Sequence, residues 1–170
     1  MRVPYRYAWP LDRLVARVLV AGDLAIGAVL SALLAAHIRH DALAVDALLP
    51  VPLAQSRLRA RGFNQALELA RPIARARALD LPHRALARCR ETSTQSGLDA
   101  AARRRNVRGA FTASGEVSGR RIALVDDVVT TGATVAACTR ALLAAGASSV
   151  EVWAVARAPP PSRPQAGASA

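Results

Sequence analysis

A chain of 170 residues is long enough for one domain with a real core, and its 52% hydrophobic content excludes disorder throughout. The formal charge is +11 and all 23 basic residues are arginine, whose planar fork suits phosphates and other polyanions. An apolar run over residues 24–36 is too short to span a bilayer, and Pro4, Tyr5, Trp9, Asp12 and Arg13 break the layout of a secretory leader, so the expected location is the cytoplasm. Cys89 and Cys138 lie far apart and read as small apolar fillers, and His37, His40 and His83 read as solvated, which leaves no structural zinc site.

In chain order, residues 11–39 read as helix, jointed at Gly22-Asp23. Residues 44–51 read as a short strand closed by Pro50 and Pro52, and 54–63 as a polar, arginine-bearing loop. Asn64 is placed to cap the next helix or to act as a ligand. The inner face of that helix is Leu69, Ala70, Ile73 and Ala74, and Pro72 should kink it. A weak strand over 85–90, a loop over 91–97, a short helix over 99–105 and a strand over 109–113 follow.

Strand 121–126 leads into a helix over 133–145 with Val135, Cys138 and Leu142 on one side and Gly146 as its stop. A last strand alternates Val150, Val152, Ala154 and Ala156. From Ala158 onward, Pro, Ser, Gly and Ala predict a disordered tail. Strands alternating with helices predict an α/β fold with a mainly parallel, twisted sheet flanked by helices. Residues 1–157 form a single domain in this reading: an N-terminal helical part, 1–43, an α/β core, 44–157, and then the tail, 158–170.

The most informative stretch is Ile122-Ala123-Leu124-Val125-Asp126-Asp127-Val128-Val129-Thr130-Thr131-Gly132-Ala133-Thr134. An apolar strand runs into two carboxylates, then into a hydroxyl-rich turn at a helix start. Thr130, Thr131, Gly132, Ala133 and Thr134 can offer backbone N–H groups and three hydroxyls to a phosphate, with Gly132 free to take positive φ. Asp126 and Asp127 can accept hydrogen bonds from the vicinal hydroxyls of a ribose, directly or through Mg²⁺. Donors for a phosphate beside acceptors for a diol match a ribose 5-phosphate.

This stretch resembles the phosphoribosyl pyrophosphate (PRPP) motif of type I phosphoribosyltransferases. The blocks Arg61-Gly62-Phe63-Asn64-Gln65, Thr94-Gln95-Ser96-Gly97-Leu98 and Arg104-Arg105-Asn106-Val107-Arg108-Gly109-Ala110-Phe111 are similar to those of the ComF/GntX family. The resemblance implies the type I phosphoribosyltransferase fold with a mobile hood over residues 95–111. It also implies Mg²⁺ and ribose contacts at Asp126 and Asp127, and a 5′-phosphate loop at 130–134. A pyrophosphate loop carrying Arg57, Arg59 and Arg61 follows, the three sharing one side if extended. Arg104 and Arg108 share an i, i+4 face and are the hood candidates, while Phe63 and Phe111 read as packing residues. The acceptor would lie near Ala156-Arg157-Ala158.

Members of the family are associated with DNA uptake in transformation. The activity implied by the PRPP motif is transfer of ribose 5-phosphate from Mg·PRPP to an unidentified acceptor. Two alternatives are a non-catalytic sensor of PRPP or a nucleotide 5′-phosphate, and a competence accessory that binds single-stranded DNA and partner proteins of that machinery. Three departures bear on this: no zinc ribbon, Leu19-Val20 where a Lys-aromatic pair is common, and Thr130 where purine-type enzymes carry an acid.

Overall fold

A computed structural model describes residues 1–38, 44–90 and 107–159, without the side chains of residues 19–21. Strand β1 (Tyr5–Arg6) precedes helices α1 (Leu11–Ala21) and α2 (Leu24–Ile38). Strand β2 (Ala47–Pro50) leads to α3 (Gln55–Arg61) and α4 (Gln65–Arg77). Strands β3 (Leu86–Arg88) and β4 (Phe111–Ala113) form an antiparallel ribbon. The chain closes with β5 (Arg121–Val129), α5 (Ala133–Ala144) and β6 (Ser149–Arg157).

The main sheet is wholly parallel, in the order β1-β6-β5-β2. Such sheets are covered on both faces, so their strands read as continuous apolar runs. Ile122 and Leu124 join α5 residues Val135, Cys138 and Leu142 on one side. Ala123 and Val125 join Leu30 and Leu34 of α2 and Leu69 and Ile73 of α4 on the other. Each fully buried leucine or isoleucine contributes about 1.5–3 kcal/mol relative to exposure. β6 is buried on both faces from Trp153 to Ala156, so the expected alternation captures one of two inner faces. Trp153 is fully enclosed, and its Nε1 donates to Glu151 Oε2 at 3.0 Å while Arg2 Nε donates to Oε1 at 2.7 Å.

The joint between the first helices lies where the sequence puts it. Gly22 has φ 65°, and Asp23 Oδ1 accepts from the Ile26 N–H at 3.2 Å. Phe63 packs there: a Cβ on Gly22 would meet its ring at 3.4 Å. Asn64 resolves as a cap. Its Oδ1 accepts from the Ala66 N–H at 3.0 Å and its Nδ2 donates to the Val51 carbonyl at 3.1 Å, a cap worth about 1 kcal/mol. The helix it opens buries Leu69, Ala70, Ile73 and Ala74 as expected and runs on through Pro72, whose missing N–H falls on the exposed side.

Three expectations are corrected. Residues 55–61 are helix, not loop; α3 buries none of its side chains, so the apolar periodicity that would announce it is missing. β5 continues to Val129, three residues past the expected end, because β6 still pairs with it through Val128↔Ala156 and Val129↔Arg157. Cys89 is exposed, its thiol 3.6 Å from the Gly109 carbonyl, rather than an apolar filler. β1 went unseen in the sequence because two residues carry no period. The strand at 85–90 shrinks to Leu86–Arg88 and the one at 109–113 to Phe111–Ala113. Ala158 still donates to the Val129 carbonyl at 2.9 Å, while residues 160–170, the loop over 91–97, the helix over 99–105 and His40 lie outside the described residues. None of the described helices is long and apolar enough to cross a membrane.

Candidate functional site

The parallel register brings the carboxyl ends of β2 and β5 together, and there the strands differ in length. Pairing with β2 stops at Pro50↔Val125, with the Val51 N–H donating to the Val125 carbonyl at 2.8 Å. Asp126 and Asp127 therefore follow the last residue shared with β2 while β5 stays held by β6. The result is a cleft of about 350 Å³ outside the strand ends, where ligands of open α/β sheets bind.

Its walls come from several elements. Arg57 and Arg61 enter from α3, Gln65 and Ala66 from the start of α4, Arg88 from β3 and Tyr7 from just beyond β1. Asp126, Asp127, Thr130 and Thr134 form the β5–α5 side. A smaller recess of about 30 Å³ continues from Asp126 past Thr130, Gly132, Ala133 and Thr134.

The carboxylates make only short local contacts. Asp126 Oδ1 accepts from the Asp127 N–H at 3.0 Å, and Asp127 Oδ1 accepts from the Val128 N–H at 2.8 Å. Neither forms an ion pair among the described residues. Burial and the neighbouring Asp127 charge push the Asp126 carboxyl well above the usual carboxylate range. A carboxyl carrying that penalty, next to a second hard oxygen donor, is what a Mg²⁺ ion would relieve, since Mg²⁺ takes one or two carboxylates and completes its shell with water and substrate oxygens. The residues present fit the ion.

The turn after β5 has the form its sequence suggests. Gly132 has φ 76°, a left-handed conformation that lets α5 begin at Ala133. The Ala133 N–H points to Thr131 Oγ1 at 3.4 Å, so Thr131 caps the turn, while Thr130 and Thr134 line the cleft. The start of α5 adds the positive end of its dipole. Cys138, one turn further, is inert: burial and the Asp126 charge push its thiol up, so it stays protonated.

The arginine expectations divide. On a helix, residues two apart point about 200° apart while i and i+4 share a face. Arg57 and Arg61 accordingly line the cleft, and Arg59 is exposed elsewhere, correcting the three-abreast extended arrangement. Arg104 lies outside the described residues. Arg108 is exposed and does not line the cleft; its carbonyl accepts from Arg90 Nη2 at 2.8 Å. From the ribbon it is Arg88 that reaches the cleft, its guanidinium 5.4 Å from the Phe111 ring centre. Phe111 is buried, a packing residue as expected.

Sequence reasoning missed Arg88, Gln65 and Tyr7. The alternation Leu86-Ala87-Arg88 could have flagged the first, because it puts the arginine on the inward face with Leu86. Tyr7 carried no signal: its N–H donates to the Arg157 carbonyl at 2.8 Å, which brings the amino-terminal segment beside the expected acceptor region at Ala156–Ala158.

Comparison with known proteins agrees with this geometry. The family of phosphoribosyl transferase domains matches residues 25–166. The chain belongs to that family. It is also 39% identical over 156 residues to the DNA utilization protein YhgH of Escherichia coli O157:H7, covering 89% of this chain and 69% of that protein. Competence protein F of Haemophilus influenzae is 36% identical over 162 residues, covering 89% of this chain and 70% of the relative. With these two, the chain is a ComF-type member of the type I phosphoribosyltransferase group. Among solved structures, the allosteric regulatory enzyme of purine biosynthesis superposes with a TM-score of 0.52 over 76% of this chain and 26% of that one, at 23% identity, a likeness of fold alone.

Proposed function

We propose that the cleft binds PRPP with Mg²⁺ and supports transfer of its ribose 5-phosphate to an acceptor, in a protein that serves DNA use or uptake. One observation carries the reading: carboxylates without an ion-pair partner among the described residues, a hydroxyl-bearing helix start and three arginines, two of them from α3, line a single cleft of about 350 Å³. These are the acceptors a ribose diol needs and the donors its two phosphoryl ends need, around one cavity.

Thr130 and Thr134, with the start of α5, hold the 5′-phosphate. Asp126 and Asp127 accept from the ribose hydroxyls and so fix the sugar. Arg57 and Arg61 lie on the β2 side and counter the charge that develops on the departing pyrophosphate. Mg²⁺ held by the aspartates and substrate oxygens would supply further countercharge to that leaving group. Asp127 also lends negative potential to the sugar as C1′ gains positive character. Tyr7 borders the side from which the acceptor approaches.

Calorimetric titration of PRPP in Mg²⁺ tests the site. Asp126→Ala with Asp127→Ala should abolish the binding heat, and unchanged binding would remove the assignment. A second reading, a sensor of PRPP or of a nucleotide 5′-phosphate, is favoured by one feature of the walls. Among the described residues, the lining supplies no histidine or glutamate to deprotonate an acceptor. Pyrophosphate release across a panel of nucleobases and amines separates the two. Release with one acceptor supports transfer, and binding without release supports sensing. Relatives named for DNA utilization and competence motivate the cellular role, with cytoplasmic location as part of the same proposal.

A further inference from the structure

Gln65 is 3% exposed, lines the cleft, and its Nε2 has no hydrogen-bond partner among the described residues. Buried amides are almost always paired, because an unmet donor keeps its full desolvation penalty. The neighbouring amide shows how easily this part of the chain satisfies such groups: Asn64 uses both ends of its carboxamide on Ala66 and Val51. Packing alone would be served better by an apolar side chain of the same length.

The surroundings indicate the missing partner. Gln65 is the first residue of a 13-residue helix, whose amino end favours negative charge. Arg57 and Arg61, on the helix just before it, line the same cleft, as do Thr130 and Thr134. Asp126 and Asp127 border the same cleft, yet neither takes the amide hydrogen. A donor held dry beside two arginines and a helix start is arranged for an external oxyanion.

We propose that Gln65 donates to the pyrophosphate end of the bound ligand, as a neutral positioning and specificity residue at the mouth of α4. This rests on the PRPP reading and assigns one of its contacts. An amide adds direction without adding charge, so it favours an oxygen at one place over any diffuse anion.

The test pairs stability with affinity, using Gln65→Met, which keeps length and volume. Wild-type protein and the variant are titrated in Mg²⁺ with pyrophosphate, PRPP and ribose 5-phosphate, and each is thermally unfolded without ligand. The expected result is an unfolding midpoint equal to or a few degrees above wild type. Affinity for pyrophosphate and PRPP should fall about ten- to a hundredfold, the loss of one hydrogen bond to a charged oxygen. Ribose 5-phosphate affinity should not change. Unchanged pyrophosphate affinity in Gln65→Met would overturn the Gln65 assignment and leave the PRPP reading intact, as would an equal loss for ribose 5-phosphate. Absence of binding in wild-type protein would instead overturn the PRPP reading and this contact with it. Gln65→Glu checks the sign: it should weaken pyrophosphate more than Gln65→Met does, and equal or tighter binding would also overturn the proposal.

Discussion

The two ends of β5 handle charge in opposite ways. At the amino end, Arg121 donates from its backbone N–H and Nε to Asp46 Oδ2 at 2.8 and 3.1 Å, and from Nη2 to Oδ1 at 2.6 Å. Arg120 alongside reaches the Asp80 carboxylate and the Asp46 carbonyl. At the carboxyl end, Asp126 and Asp127 have no such partner among the described residues, although Arg57, Arg61 and Arg88 line the cleft they border. Paired charges hold β5 to the segments just before β2 and just after α4, while the two acids at the other end tie it to nothing else among the described residues. The difference teaches that unmet electrostatics, rather than charge itself, mark the ligand's place.

The largest effect that would break this contrast is at the acids. Asp126→Asn with Asp127→Asn should weaken PRPP at least a hundredfold by calorimetry, as charged hydrogen bonds of about 1.5–3 kcal/mol each are lost. The same change should raise the ligand-free unfolding midpoint, because it removes mutual repulsion and a buried charge. A fall in that midpoint would make the pair structural.

Next come the arginines of α3. Arg57→Ala and Arg61→Ala should each cost pyrophosphate affinity about tenfold, or roughly 1.4 kcal/mol, with the loss shrinking as salt rises. Equal effects in high and low salt would point to lost packing.

The amino end gives a smaller, pH-shaped effect. Arg121 holds the Asp46 carboxyl well below the usual carboxylate range through its side-chain and backbone hydrogen bonds. A depressed folded-state value means the stabilisation is complete above the unfolded carboxylate value, about 3.9, and is lost as pH falls below it. Asp46→Asn should lower the unfolding midpoint at pH 7, and the gap to wild type should close in acid. A constant gap would show that charge is not the cause. The smallest effect belongs to Arg59→Ala, which should leave pyrophosphate affinity within about twofold, since surface charges away from a site do little.

The β5–α5 side of the site could be read directly because every feature there is local. An apolar run, two acids and a glycine in a hydroxyl-rich turn are contiguous, and the strand, positive φ and helix start follow from neighbours. The α3–α4 side could not, because α3 has no buried face to produce a period. Calling it extended put Arg59 with Arg57 and Arg61, whereas a helix separates them. Gln65 escaped for another reason: its importance lies in a partner it lacks, and only three-dimensional neighbours reveal that. Tyr7 follows one short strand and Arg88 ends another, and the places of these strands depend on β6 and β4, far along the chain.

β1 carries a consequence of its own. Tyr5 and Arg6 pair with Ala156 and Arg157, and Arg2 bridges to Trp153 on the same strand. The first seven residues thus stitch over the flank of β6, which bare would invite a foreign strand to add, and leave only a two-residue strand at that edge. Tyr7, the last stitch, is also a wall of the cleft. Trimming the amino terminus would therefore couple two faults, self-association and a loosened grip on ligand, which an outside observer would meet as a single failure.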